Sequence, residues 1–153
     1  MPIINKDILI NAPLEDIYGY VSKPSNLQQI WPSLIELKNK KTPLSIGFSY
    51  RWMYKMSGMF FTGTGECTNI MPNHRYTVKN SGSINSLITW TFLMKGDKTR
   101  VTFTNDYKIP EALLARVPES IINKMNEKET ELILENLRAK FETKEAHEYA
   151  ISG

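Results

Sequence analysis

Alternating apolar and polar residues run through the middle of the chain, from about residue 33 to residue 109. Turn signals interrupt this alternation at Ser57-Gly58, Pro72-Asn73, Ser81-Gly82-Ser83 and Gly96-Asp97. Because successive strand residues face opposite sides of a sheet, the pattern predicts six consecutive antiparallel strands. Residues 3–11 alternate more weakly and predict one further strand, which brings the predicted sheet to seven strands.

The predicted turns indicate which side chains share a face, because residues that flank a two-residue turn lie opposite each other on the same side. The opposed inner pairs are Phe92 with Val101, Trp90 with Phe103, Trp52 with Gly63, Tyr50 with Gly65, Cys67 with Val78, and Asn69 with Tyr76. Three turns thus predict one apolar inner face and a threonine-rich outer face.

Helical patterns flank the predicted strands. Pro13, Glu15 and Asp16 predict the start of a first short helix, and Pro32 ends a second one. A long helix is predicted from near Glu119 to about Thr143, and residues from about 146 are predicted to be frayed. Its apolar stripe consists of Ile122, Met125, Leu132, Ile133, Leu137 and Phe141. The sheet is the only partner of matching size, so it is predicted to curl around this helix.

Composition narrows the function classes. The 153 residues fit one domain, and one cysteine with two histidines predicts neither an internal disulfide nor a metal site, so no cofactor is expected. A net charge of +3, spread among acids, argues against a nucleic-acid partner. The basic run at residues 38–41 is interpreted as a solvated strand end or as a phosphate or anionic-lipid contact. Without a signal-peptide pattern or a membrane span, we expect a cytoplasmic location. We also expect a monomer or a weak dimer.

The strand at residues 48–56 carries rings on one face, where its aromatic residues are Phe48, Tyr50, Trp52 and Tyr54. Tyr and Trp carry an O–H or N–H that needs a partner when buried, so this face is predicted to line a pocket for an apolar small molecule. The candidate ligand-binding residues are Tyr50, Trp52, Tyr54, Phe61, Tyr76, Trp90, Asn105, Tyr107, Met125 and Glu129.

Two features leave alternatives open. Gly63 and Gly65, opposite large rings, either leave room for a ligand or let the sheet bend while the rings cover them. Glu129 falls within the apolar stripe of the long helix and would be a ligand anchor or an acid with a raised pKa; in an enzyme, either Glu129 or an inner tyrosine would be the general acid or base. A different helix phase would instead place it in water at the rim.

Residues 112–117, between two prolines, form either a lid over the pocket mouth or a short helix packed on the core. As a lid, the segment would bring Leu113 and Leu114 into contact with ligand or with a membrane surface.

Four segments carry a family resemblance: Asn-Ala-Pro-Leu-Glu-Asp-Ile-Tyr at 11–18, Asn-Leu-Gln-Gln-Ile-Trp-Pro at 26–32, Lys-Thr-Arg-Val-Thr-Phe at 98–103 and Asp-Tyr-Lys-Ile-Pro at 106–110. With this order of elements, essentially the whole chain resembles the START and Bet v 1-like (SRPBCC) superfamily, especially its polyketide cyclase/dehydrase and lipid transport branch. The resemblance implies an α+β helix-grip fold with a deep apolar cavity between the sheet and the C-terminal helix.

Three functions are compatible with that fold, since fold alone does not select one. The first is binding or transport of a hydrophobic small molecule, such as a lipid, an isoprenoid or quinone, or an aromatic polyketide-like compound. The second is an aromatase/cyclase or dehydratase-type enzyme that acts on such a ligand. The third is a protein-interaction module whose interior is filled by its own side chains.

Overall fold

Strands make up most of the first two thirds of the chain. The computed structural model describes residues 2–38 and 45–152, and it describes side chains as far as residue 142. In chain order the elements are β1 (Ile3–Ile10), α1 (Leu14–Val21), α2 (Pro24–Ile30), β2 (Leu34–Lys38), β3 (Ser49–Met56), β4 (Met59–Met71), β5 (Arg75–Gly82), β6 (Asn85–Lys95), β7 (Lys98–Lys108), α3 (Glu111–Leu114) and α4 (Glu119–Ser152). Of the basic run at 38–41, only Lys38 is described; it ends β2, and its Nζ lies 3.6 Å from Glu36 Oε1.

The seven strands form one antiparallel sheet in the order β1-β7-β6-β5-β4-β3-β2. The sheet is therefore a meander from β2 to β7, with the first strand added beside the last. The registers predicted from the turns at Ser57-Gly58 and Gly96-Asp97 are confirmed, since Trp52 lies opposite Gly63 and Trp90 opposite Phe103. Among the described residues, no helix is both long and apolar enough to cross a membrane.

The observed register differs from the predicted one at a β-bulge in β4. The turn after β4 holds three residues, because Met71 pairs with Arg75, and a shift between Cys67 and Asn69 then restores the predicted pairing of Cys67 with Val78. Within the shifted stretch, Ile70 rather than Asn69 lies opposite Tyr76. Asn69 is exposed, so the prediction that it faces inward is wrong. The extra residue of a bulge reverses the alternation locally.

Two strands approach each other unusually closely at Gly63. It pairs with Gly82, whose φ is +133°, and a Cβ placed on Gly82 would lie 2.6 Å from the Gly63 Cα. The Trp52 ring covers Gly63, and Tyr50 Cζ would lie 2.9 Å from a Cβ on Gly65. The rings occupy the space beside both glycines, which favours the interpretation that the glycines permit close packing and bending of the sheet.

The long helix α4 packs mainly on β1 and α2, with a smaller contact on β7. Ile122, Ile133 and Leu137 of its predicted stripe are buried. Leu132 is 51% exposed, whereas Leu134 is 2% exposed, so the prediction of Leu132 in the stripe is wrong: the buried stripe extends from Ile133 toward Leu134 and not toward Leu132. The helix continues to Ser152, beyond the predicted end near Thr143. Fraying from about residue 146 stays a prediction, since these side chains lie outside the described set.

The interior has a solid half and a hollow half. In the solid half, Tyr18 of α1 packs edge-on against Tyr76 and Phe92, and Trp90 packs edge-on against Phe103 with ring centroids 4.9 Å apart. These rings fill the space under α1. The space left between α2, α3, α4 and the other side of the sheet forms the cavity described next.

Candidate ligand cavity

A cavity of about 100 Å³ lies between the inner face of the sheet and the helices α2, α3 and α4. Its residues are mostly apolar or aromatic, namely Leu27, Trp31, Leu34, Leu37, Tyr50, Trp52, Tyr54, Met56, Asn80, Ile84, Ser86, Ile88, Asn105, Tyr107, Ile109, Pro110, Leu113, Ile122 and Asn126. Its volume is of the same order as the roughly 150 Å³ apolar cavity that takes up benzene, and below the roughly 300–1,000 Å³ of typical ligand pockets. As it stands, the cavity suits a group no larger than about one ring.

Five of the ten residues predicted from the sequence line this cavity. They are Tyr50, Trp52 and Tyr54 from β3, and Asn105 and Tyr107 from β7. The inner face of β3 is continuous with the cavity because no helix of the described chain packs closely over it, whereas α1 covers β6. The strand that we identified by its rings thus forms one wall.

The other five predicted residues lie elsewhere. Phe61, Tyr76 and Trp90 are buried in the packed interior, and Tyr76 donates its hydroxyl proton to the Val21 carbonyl at 3.1 Å. Met125 and Glu129 are half-buried on α4 and are not part of the cavity wall. The periodicity of the strands and of the long helix was enough to predict that these five side chains face inward. It could not predict which half of the interior is hollow, because that depends on where α1 packs.

The wall on the helical side consists of residues that the sequence reasoning missed. Trp31 at the end of α2, Ile109 and Pro110 before α3, and Leu113 on α3 all line the cavity. Asn126 of α4 does so as well, one turn after the buried Ile122. That spacing of four residues was the available signal, because an asparagine on the buried stripe of a helix faces the interior.

The segment at residues 112–117 contains the short helix α3 and not an extended loop. Leu113 is buried against the cavity, whereas Leu114 is 43% exposed. The structure therefore has the helix-on-core arrangement, one of the two alternatives left open by the sequence.

A row of polar side chains crosses the sheet at one end of the cavity. In register, Tyr50, Gly65, Asn80, Ser86 and Tyr107 lie side by side on β3 to β7. All of these except Gly65 line the cavity. Asn80 Nδ2 donates to Ser86 Oγ at 3.0 Å, which gives these two side chains a partner within the row.

The end of the row is fixed to α4. Tyr107 Oη donates to Asn123 Oδ1 at 2.6 Å. Burial raises the pKa of Tyr107, and a hydrogen bond from Asn126 opposes that rise. The row therefore ends in a network that joins β7 to the first turns of the long helix.

Other polar atoms of cavity residues are buried without a hydrogen-bond partner. Among the described residues, these include the indole nitrogen of Trp52 and the side-chain oxygen of Asn105. Such atoms are uncommon in folded proteins and cost about 1–3 kcal/mol each when left unpaired. They are polar atoms of wall residues that no group of the described chain satisfies.

The tyrosines of β3 act as hydrogen-bond donors at neutral pH. Burial raises the pKa of Tyr50, with a smaller contribution from Cys67. Burial also raises the pKa of Tyr54, and the charge of Glu129 and a hydrogen bond to it add to the rise. Both phenols therefore keep their protons at neutral pH, which suits a phenol of this wall to orient a ligand by donating a hydrogen bond, while the raised pKa makes each a weaker acid than an ordinary tyrosine.

Glu129 joins α4 to the segment between α2 and β2. The Ser33 backbone N–H donates to Glu129 Oε1 at 3.2 Å, and the Ser33 hydroxyl donates to Glu129 Oε2. Together with Tyr54, these groups donate hydrogen bonds to the carboxylate oxygens of Glu129. Because its oxygens are hydrogen-bonded, a half-buried acid is tolerated on the apolar side of the helix. The geometry is that of a clamp between distant segments.

Comparison with known proteins adds a family and a fold. The model of the family described as polyketide cyclase / dehydrase and lipid transport matches residues 1–142. A protein of known structure from Thermus thermophilus has a TM-score of 0.75 at 19% identity, covering 93% of this chain and 98% of that one. No curated protein matches the sequence.

Two further solved structures are similar to this chain over most of their length. The Zhui aromatase/cyclase from Streptomyces has a TM-score of 0.71 at 11% identity, covering 92% of this chain and 93% of that one. Ginseng major latex-like protein 151 from Panax ginseng has a TM-score of 0.66 at 14% identity, covering 92% and 97%. At these identities the likeness shows a shared fold, and it confirms the predicted α+β helix-grip arrangement.

Proposed function

Because the chain belongs to the polyketide cyclase/dehydrase and lipid transport family, we propose that it binds a hydrophobic small molecule in the cavity between the sheet and the helices. The observation that carries the proposal is the cavity itself, whose wall is apolar and aromatic apart from a polar row at one end. Apolar walls with a few placed polar groups are the usual form of a small-molecule site.

Burial of apolar surface supplies the affinity in this proposal, at roughly 25 cal/mol per Å². The polar row and the unpaired polar atoms set the orientation. A lipid, an isoprenoid or quinone, or a polyketide-like compound exceeds about 100 Å³, so such a ligand requires the wall to open. The short helix α3 is the wall element that opens at the least cost, because it is only four residues long.

Native mass spectrometry of protein purified from its own host tests the proposal first. We expect a stoichiometric adduct that organic extraction releases and identifies. A protein that carries no adduct, and that takes up none of a panel of lipids, quinones and aromatic compounds added afterwards, would contradict it.

Two adjacent leucines provide a matched pair of variants. Leu113→Trp places a larger side chain against the cavity, whereas Leu114→Trp makes the same change at an exposed position. We expect the first to lose most ligand uptake and the second to retain it, with unfolding measured for both. Equal uptake by two folded variants would place the ligand elsewhere. The pair also distinguishes a ligand contact at Leu113 from a membrane contact at Leu114, because Leu114 is the residue of the two that faces outward.

A cyclase or dehydratase-type reaction in the same cavity is the second candidate. It is supported by the family and by the protonated Tyr50 in the wall, which can donate a hydrogen bond to negative charge that develops on a substrate. Glu129 is already occupied by Ser33, which favours a clamp over a base. Turnover of an extracted ligand that is lost in Tyr50→Phe, with binding retained, would establish the enzyme.

The interaction-module alternative requires an interior filled by its own side chains. The cavity argues against that condition. Binding of a ligand is therefore the function that we propose.

A further inference from the structure

Asn105 stands out among the polar residues of the cavity wall because the groups around it leave its amide oxygen unpaired. This oxygen is buried and has no hydrogen-bond partner in the described part of the chain. Its in-register neighbours are Ile88 on β6 and Ile4 on β1, and neither has a side chain that can donate. The sheet itself therefore cannot satisfy it.

Two polar side chains on the same wall already have acceptors. Tyr107, two residues further along β7, donates its proton to Asn123. Asn80 donates to Ser86, the residue opposite Tyr107. Tyr107 and Asn80 thus have acceptors of their own, and the amide oxygen of Asn105 stays unpaired on the inner surface of β7.

We propose that Asn105 determines ligand specificity by hydrogen-bonding a hydroxyl group of the molecule in the cavity. This inference rests on the proposed function, because it requires a ligand there. A hydroxyl group can donate to the amide oxygen and accept from the amide nitrogen, so it pairs with Asn105 in either sense. An apolar ligand of the same shape would leave the oxygen buried and unpaired, and the site would discriminate against it.

The expected discrimination follows from the cost of an unpaired buried group. One net hydrogen bond between ligand and protein changes the binding constant by roughly tenfold. Phenol and toluene are suitable probes, because each has one ring with one additional heavy atom and fits the scale of the cavity. Their intrinsic difference in hydrophobicity cancels when the ratio of their affinities is compared between variants.

The experiment measures both affinities by titration calorimetry for the wild type, Asn105→Leu and Asn69→Leu. Leucine nearly preserves the shape of asparagine, and Asn69 is an exposed residue of the same sheet. We expect the phenol-to-toluene ratio to fall about tenfold in Asn105→Leu, with toluene binding retained, and to stay unchanged in Asn69→Leu. If Asn105→Leu does not fold, Asn105→Ala takes its place.

An unchanged ratio in a folded Asn105 variant would overturn the inference and leave cavity binding intact. Failure of the wild type to bind either probe would also overturn it. In that case an adduct on the purified protein would uphold the proposed function, whereas an adduct-free protein that binds no panel compound would remove both.

Discussion

Substitution of Gly63 by alanine tests the claim that β4 and β5 are held close together at this point. An added Cβ would lie 2.8 Å from Trp52 Cη2 and closer still to Trp52 Cζ2 and the Ser81 carbonyl oxygen, where ordinary contact begins at 3.4 Å. The carbonyl belongs to the backbone of the neighbouring strand, so rotation of a side chain cannot relieve the contact. Either the strands separate or the substitution strains the sheet.

The magnitude follows from two opposing terms. Overpacking in a closed interior costs typically about 1–3 kcal/mol, and this site combines a backbone contact with displacement of a buried ring. Alanine recovers about 0.5–1 kcal/mol of conformational entropy relative to glycine in a strand. We expect a net loss of about 2 kcal/mol, which for a chain of this size lowers Tm by about 4–8 °C.

Gly19→Ala is the matched control, since Gly19 is exposed on α1 and has no atom within 4 Å of an added Cβ. It should raise stability by about 0.5–1 kcal/mol. Urea unfolding followed by circular dichroism measures both variants. If Gly63→Ala were as stable as the wild type while Gly19→Ala gained stability, the close approach of the strands would be refuted, and the glycines would again be candidates for ligand space.

Three further predictions concern the clamp, the helix and the buried phenols. Glu129→Ala leaves the Ser33 donors unpaired and should cost about 1–3 kcal/mol by urea unfolding, more than Glu129→Gln, and equal losses would contradict the clamp. Leu134→Ala should cost about 2–5 kcal/mol and Leu132→Ala less than about 0.5, and the reverse order would restore the helix phase predicted from the sequence. Burial raises the pKa of Tyr50 and Tyr76 above the ordinary 10.0, so the unfolded chain loses these protons first. Stability should hold below about pH 9 and fall above about pH 10; a flat profile to about pH 11 would contradict this.

Turn chemistry and alternation were sufficient to predict the sheet. A two-residue turn fixes which residues oppose each other, so the pairs Trp52–Gly63 and Trp90–Phe103 followed from counting. The bulge at Asn69 could not be counted in the same way, because an extra residue leaves no composition signal in a strand of mixed polarity. Local pattern predicted local pairing and missed this interruption.

The cavity was less predictable than the sheet because it depends on packing between distant segments. The face of β3 pointed to the correct wall, yet the same argument assigned Tyr76 and Trp90 to it. Tyr76 is covered by Tyr18 of α1 and Trp90 packs against Phe103, and no property of their own strands indicates that packing. Asn105 lies on the cavity wall, as its inward orientation predicted, but its unpaired oxygen could not be predicted because it depends on the hydrogen bonds that neighbouring side chains make.

The pairing of β1 with β7 has a consequence for synthesis of the chain. Ile3 lies opposite Asp106, so β1, which is synthesised before the other strands, has to wait until β7 is synthesised before the two can pair. At about 5–20 residues per second, that wait is on the order of 5–20 s. During it, the apolar side chains of β1 have neither β7 nor α4 to cover them. Until β7 emerges, β1 therefore has an unpaired edge that can pair with another chain, so this interval is when the nascent protein is most open to aggregation.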